Sequence, residues 1–271
     1  MSYARVMVPV DLGPYAADRV ALAGSLADQF DSLLIGIAAQ CPIPAYDEES
    51  AADAELIEAE QRRVDEDLIE AERVFRTSSA NRNRVEWRCS SAHDAEAFAV
   101  EQARAADILV MTRQGPQDEQ DWRFGVNPGG LAMQAGRPVF VAPPGVRSMP
   151  GKRILIAWKD TREARRAVWD ALPLLKRAER VLVVAVSESA RTAGALDVAD
   201  YLGSHAIHAR TLLRDARHGT VTDELLKVVA KEQVDLVIAG AYGHTRLREW
   251  IFGGVSRDLL DSAPVCCLMS H

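Results

Sequence analysis

What most constrains the fold of this chain is that one order of apolar and amphipathic stretches is spelled out twice. Arg5-Val6-Met7-Val8-Pro9-Val10 opens the first series, and Arg153-Ile154-Leu155-Ile156-Ala157-Trp158 opens the second. Each is a short run without polar alternation, the pattern of a strand buried on both faces. In the first series Val20, Ala23, Ala27 and Phe30 then keep helical spacing, and residues 32–38 read as a strand. A long charged helix over 47–77 follows, with Ile57, Val64, Leu68, Ala71 and Phe75 on one stripe and a solvated acidic and basic face opposite. Strands over 85–89, 107–112 and 138–142, a helix over 95–105 and a short helix before the last strand complete the set. The second series runs in the same order. Its helices fall at 162–176, 191–204, 221–232 and 254–262, and its later strands at 181–186, 209–213, 235–239 and 264–269.

Such alternation predicts the α/β class: two tandem, doubly wound, five-stranded parallel-sheet domains related by internal duplication. Pro143-Pro144-Gly145-Val146-Arg147-Ser148-Met149-Pro150-Gly151 marks the boundary. The expected domains are 1–143 and 152–271, joined by a linker at 144–151. Gly145 and Gly151-Lys152-Arg153 do not form a Walker A loop, because the spacing is one residue too long and Arg153 stands in place of Ser/Thr. In open sheets of this class ligands bind beyond the carboxyl ends of the strands, at the switch point of strand order. In the second half those ends are Ala157-Trp158-Lys159-Asp160 and Gly240 onward.

A length of 271 residues suits two domains. No run reaches the roughly 18 apolar residues of a membrane span, and Met1-Ser2-Tyr3-Ala4-Arg5 leads into a strand without a signal-peptide pattern. The expectation is a cytoplasmic protein with no membrane partner. A net charge of −7 argues against a nucleic-acid partner. Residues 1–150 carry 14 arginines, no lysine and 24 acids, whereas residues 151–271 carry 18 basic groups and 15 acids. An anionic ligand therefore sits more comfortably in the second half. Cys41, Cys89, Cys266 and Cys267 match no zinc or redox spacing. Cys266-Cys267 lies in an apolar run and reads as two buried, reduced thiols on opposite faces of a strand, with a reactive thiol site as the alternative.

The motif that carries chemistry is Gly240-Ala241-Tyr242-Gly243, nine further residues, and Gly253-Gly254-Val255-Ser256. It follows a buried-strand pattern and leads into a short helix. Glycines let a ligand approach the main chain closely, and the free N–H groups at a helix start favour phosphate. With the duplication and the Ala263-Pro264-Val265 approach to the last strand, this loop resembles the universal stress protein family in its tandem, ATP-binding form. That resemblance covers nearly the whole chain and implies the adenine-nucleotide α-hydrolase-like fold.

The resemblance implies a phosphate site at Gly240, Gly243, Gly253, Gly254, Val255 and Ser256. It implies a base and ribose side at Ala157, Lys159 and Val186, with Tyr242 beside the loop. The implied cofactor is ATP or a related adenine nucleotide, with or without Mg. Two positions depart from the family pattern: Gly254 replaces a hydroxyl-bearing residue, and Lys159 stands where an Asp is usual. The first half keeps Asp11 but has Thr112-Arg113-Gln114-Gly115 in place of Gly-x2-Gly. Its Gly115 and Gly125 preserve the nine-residue gap, while a second alignment pairs Gly129-Gly130 with Gly253-Gly254. Asp118, Glu119 and Asp121 place negative charge in that loop, so the first half is expected not to bind nucleotide.

His205 and His208 straddle a helix-to-strand transition, and His93 and His218 precede helices as loop or capping residues. His244 lies inside the glycine loop, and terminal His271 gives no signal. No nucleophile elbow or metal-ligand spacing is present. Three functions stay open. The first is a stress-response regulator binding adenine nucleotide in the C-terminal domain, with at most very slow ATP hydrolysis. The second is a nucleotide-independent interaction or scaffold module with vestigial sites. The third is an enzyme acting on adenylated substrates. Expected partners are the nucleotide, an unknown protein, and the other half of the chain as an intramolecular pseudo-dimer; a homodimer is the default further assembly.

Overall fold

The computed structural model describes residues 2–42, 51–113, 124–186, 194–215, 220–241 and 254–271. Tyr242, Gly243, His244 and Gly253 of the glycine loop, the acidic segment 118–121 and His218 therefore lie outside the described residues. In the first half the strands are β1 (Arg5–Pro9), β2 (Leu33–Ala39), β3 (Val85–Ser90), β4 (Ile108–Thr112) and β5 (Val139–Ala142). Between them run helices α1 (Ala16–Phe30), α2 (Ala51–Ser78), α3 (Ala95–Gln102) and α4 (Pro128–Gln134). The second half has strands β6 (Arg153–Trp158), β7 (Arg180–Val186), β8 (Ala209–Arg214), β9 (Leu236–Gly240) and β10 (Cys266–Ser270). Its helices are α5 (Arg162–Asp170), α6 (Leu172–Leu175), α7 (Ala195–Ser204), α8 (Val221–Glu232) and α9 (Gly254–Ser262).

Within each half every strand pair is parallel, and the two five-stranded sheets join into one of ten strands. The order is β3-β2-β1-β4-β5-β10-β9-β6-β7-β8. At the seam β5 and β10 pair antiparallel, with Cys267 opposite Val141 and Met269 opposite Val139. This places the switch points between β1 and β4 and between β6 and β9. Helices α1, α2, α5, α6 and α7 pack on one face, where the core includes Val20, Phe75, Val168 and Leu202. Helices α3, α4, α8 and α9 pack on the other, around Phe98, Leu131, Leu225 and Leu259. Cys266 belongs to the first layer and Cys267 to the second, as expected of neighbours on a two-faced strand.

Matching acids anchor the fourth strands. The Asp107 carboxylate accepts from the N–H groups of Ala4 and Arg5 at 2.7 and 2.9 Å. Asp235 does the same for Gly151, Lys152 and Arg153 at 3.1, 3.0 and 3.1 Å. Each carboxylate satisfies main-chain donors that lie before the ladder begins, so the entry to β1 and β6 is fixed from the neighbouring strand.

The helix expected over 162–176 is two helices. Pro173 has no N–H to donate into the turn below it, so α5 ends at Asp170 and α6 restarts at Leu172. The break leaves the Asp170 carbonyl to the Tyr3 hydroxyl of the first half, which donates to it at 2.7 Å. Burial raises the Tyr3 pKa, with Asp170 adding to the shift, so this donor stays protonated. The helix expected over 95–105 is α helix to Gln102 and a tighter 3-10 turn over Ala103–Ala105. Among the described residues no helix is long and apolar enough to cross a membrane.

Burial pushes both seam thiols up to about 12, while Cys41 and Cys89 are exposed. A pKa above that of a free thiol keeps the folded-state sulfur protonated and unreactive at pH 8. Native protein at pH 8 is expected to lose Cys41 and Cys89 to a thiol-specific reagent and to expose Cys266 and Cys267 only after denaturation. Peptide mapping of the labelled sites checks this; labelling of Cys267 in the native state would contradict it.

Candidate functional site

The candidate site gathers at the carboxyl ends of β6 and β9. Ala157 on β6 sits in register with Ala239 on β9, and both strands run parallel to this point. Lys159 follows the end of β6 and is exposed; its carbonyl accepts from Thr161 N–H at 2.7 Å and so turns the chain into α5. The Thr161 hydroxyl caps α5 by accepting from Ala164 N–H at 3.3 Å. Val186, half-buried, ends β7 one strand farther out, opposite Arg214 of β8.

Gly240 ends β9, and the first turn of α5 lies directly on it. A Cβ at Gly240 would fall 2.6 Å from the Ala164 nitrogen and 2.8 Å from the Glu163 carbonyl carbon. Both are backbone atoms, so they cannot swing aside as a side-chain tip does. The sequence reads this glycine as room for a phosphate, whereas in the structure the missing side chain makes room for a helix. On the other side, the Ser256 hydroxyl in α9 donates to the Gly240 carbonyl at 3.2 Å. Gly240 is thus held between the starts of α5 and α9, and the two helix N-termini converge on the end of one strand.

Of the expected site residues, the structure brings Ala157, Gly240 and Ser256 together, with Gly254 and Val255 opening α9 beside them. Gly254 is exposed, Val255 half-buried and Ser256 buried. Among the described residues the first turn of α9 carries no acid, so its own side chains there do not oppose the positive end of its dipole.

Two residues at this site gave no signal in the sequence. Glu163, 7% exposed, lies in the first turn of α5 against Gly240. Burial alone would raise its pKa; its own backbone N–H, the Thr161 hydroxyl and the Arg162 guanidinium outweigh that and hold the carboxyl below its usual value. His271 places Nδ1 3.0 Å from the Ala241 carbonyl, at the entry to the glycine loop. Elsewhere His205 ends α7, stacked edge-on between Trp169 and Tyr201. His93 accepts or donates at 2.7 Å with the Ser90 hydroxyl, a local turn contact before α3. Among the described residues no three His, Cys, Asp or Glu side chains gather as a metal site.

The equivalent place in the first half is built differently. Leu109 pairs with Val139 and Val237 with Cys267, so both halves keep the same 30-residue spacing from fourth to fifth strand. Thr112 is therefore the counterpart of Gly240, which supports pairing Gly125 with Gly253 over the alternative alignment. The Arg19 guanidinium, 5% exposed, spans the ends of β1 and β4. Its Nε donates to the Pro9 carbonyl at 2.8 Å and its Nη1 to Thr112 Oγ1 at 2.9 Å. Nη2 lies 2.6 Å from Asp11 Oδ2 as an ion pair, off the ideal hydrogen-bond direction. At α4 the Glu96 carboxylate accepts from Asn127 N–H at 3.2 Å and from Gln134 Nε2 at 2.9 Å, and a Cβ at Gly130 would collide with it.

Residues 151–271 match the family model of the universal stress protein family. A universal stress protein from Archaeoglobus fulgidus DSM 4304 has a similar solved structure, with 15% identity, a TM-score of 0.71 and 98% of each chain covered. A functionally unknown protein from Pseudomonas aeruginosa PAO1 is similar at 14% identity and a TM-score of 0.60, covering 99% of this chain and 92% of its own. A putative universal stress protein from Pseudomonas aeruginosa UCBPP-PA14 matches at 14% and 0.60, covering 99% and 93%. At these identities the structural matches show a shared fold through both halves. No curated protein is similar enough to count as a match.

Gly240→Ala is expected to destabilise the second half by about 2 kcal/mol, because the new methyl meets backbone on a helix that must shift. Urea unfolding followed by circular dichroism reads this; a midpoint unchanged from wild type would refute the close-approach account.

Proposed function

We propose, from the premise that residues 151–271 are a universal stress protein domain in a chain folded like that family's two-domain members, that the second half binds ATP or a related adenine nucleotide. The working domains are 1–143 and 152–271 about the linker 144–151. The observation that carries the reading is the meeting of two helix starts on Gly240, one of them α9 with no acid in its first turn. Such a helix start favours phosphate, and the glycine loop runs from this strand end to this helix. Among the described residues the main chain of Gly254 and Val255 fits an anionic group, and the Ser256 hydroxyl, which donates to the Gly240 carbonyl, would have to turn from it to join them.

Gly243, Gly253 and Tyr242 complete the loop side of the proposed site, and Ala157, Lys159 and Val186 its base and ribose side. Lys159 adds positive charge that a phosphate chain, with or without Mg, would use. The proposed role is regulatory. Nucleotide occupancy would set the surface that a protein partner in the cytoplasm meets, with little or no turnover.

Calorimetric titration of ligand-free protein with ATP is expected to give one site per chain, and Gly243→Asp is expected to abolish the heat by placing a carboxylate in the loop. No heat and no thermal shift at millimolar ATP would overturn the reading in favour of a nucleotide-independent scaffold.

A further inference from the structure

We propose that the first half is self-liganded: the Arg19 guanidinium and the Glu96 carboxylate, both from the chain itself, fill the two positions that the second half leaves to an outside molecule. The contrast with the second half rests on the nucleotide reading above; the filling of the first half stands on its own geometry.

The cation position is made of three oxygens from three points of the fold: the Pro9 carbonyl ending β1, the Asp11 carboxylate just beyond it, and the Thr112 hydroxyl ending β4. Asp11 is itself aimed by accepting from Gly13 N–H at 3.1 Å. The set offers acceptors to a planar cation and suits a guanidinium fork; an incoming phosphate would face a carboxylate there. The second half has dismantled it. Lys159 stands where Asp11 does and Gly240 where Thr112 does; Arg165, fourth in α5 as Arg19 is in α1, pairs with Asp160 on the exposed surface, and Glu163 lies over the strand end.

The anion position shows the same substitution in reverse. Glu96 and Thr222 are each the second residue of the helix that precedes the fourth strand of their half. Glu96 reaches the start of α4 and accepts from Asn127 N–H, and Gly130 leaves the space it needs. Thr222 instead donates its hydroxyl to Asp258 within α9 at 2.7 Å, and so ties the two helices without bringing a carboxylate to the α9 start. One half therefore carries its ligands as side chains, and the responsive crevice is that of the second half.

The test is chemical rescue. Arg19→Ala empties the cation position and is expected to lower Tm by about 5 °C. Guanidinium chloride at about 50 mM, too dilute for its denaturing effect to matter, is expected to restore about half of that loss, and equimolar sodium chloride or urea none. In Arg19→Ala combined with Asp11→Asn the rescue disappears. A fall in Tm with no guanidinium-specific recovery, or no fall at all, overturns the proposal. Should Arg19→Ala not fold, nuclear magnetic resonance of the wild-type protein decides. A resolved Arg19 Nε–H, protected from exchange at neutral pH, supports the buried fork, and a solvent-averaged one refutes it. Absence of ATP binding would defeat the nucleotide reading of the second half and leave the rescue result untouched.

Discussion

Everything in this molecule depends on the antiparallel pairing of β5 with β10. Two five-stranded sheets, each with an open edge at its last strand, would otherwise present unpaired N–H and C=O groups to solvent, a standing invitation to aggregation. Joining them edge to edge satisfies both and makes one sheet with helices on both faces. Fully buried side chains line the seam, among them Phe140, Val139, Leu268 and Met269. The Tyr3 hydroxyl adds a bond from the first half to the broken helix of the second, so the halves share hydrogen bonds as well as apolar surface.

Duplication followed by divergence is visible at the level of individual atoms. Both halves keep the carboxylate that gathers the main chain before the first strand, Asp107 in one and Asp235 in the other, because any substitution there would orphan backbone donors. Where no such backbone obligation exists, the halves have parted. At the strand ends the pair of Asp11 with buried Arg19 has no buried counterpart among the described residues, where Lys159 is exposed and Glu163 pairs with Arg162, and the side-chain volume at Thr112 has been removed at Gly240. Architecture is conserved between the halves by main-chain bonding; the crevice is free to vary because its partners are side chains.

This division also explains what was legible in the sequence. Strands buried on both faces show as unbroken apolar runs, so β1, β4, β6 and β9 could be placed closely, and Leu68, Ala71 and Phe75 declared the buried stripe of α2. The seam was legible only through the family resemblance, which implies a pseudo-dimer of the two halves, because the bonds that make it belong to the backbone and carry no residue signature. Pro173 is plain in the sequence, yet the helix break also turns Leu174 N–H to the Ala171 carbonyl and leaves that of Asp170 to a hydroxyl 167 residues away. At the candidate site, glycine spacing picked out the end of β9 and the start of α9, which the fold brings together. It misread why Gly240 is glycine. Arg19 and Glu96 looked like ordinary polar positions on their helices, since only the folded chain brings them to strand ends and helix starts.

Because β5 and β10 run in opposite directions, the strands of one half point their carboxyl ends towards the edge of the sheet from which those of the other half depart. The two crevices therefore open at opposite poles of the molecule. With Arg19 buried at one pole and two helix starts beside Gly240 at the other, that of α9 without an acid in its first turn, the chain is chemically directional in spite of its near-twofold backbone. Anything that binds it has a head and a tail to distinguish, and two such chains meeting pole to pole have three different junctions to choose from.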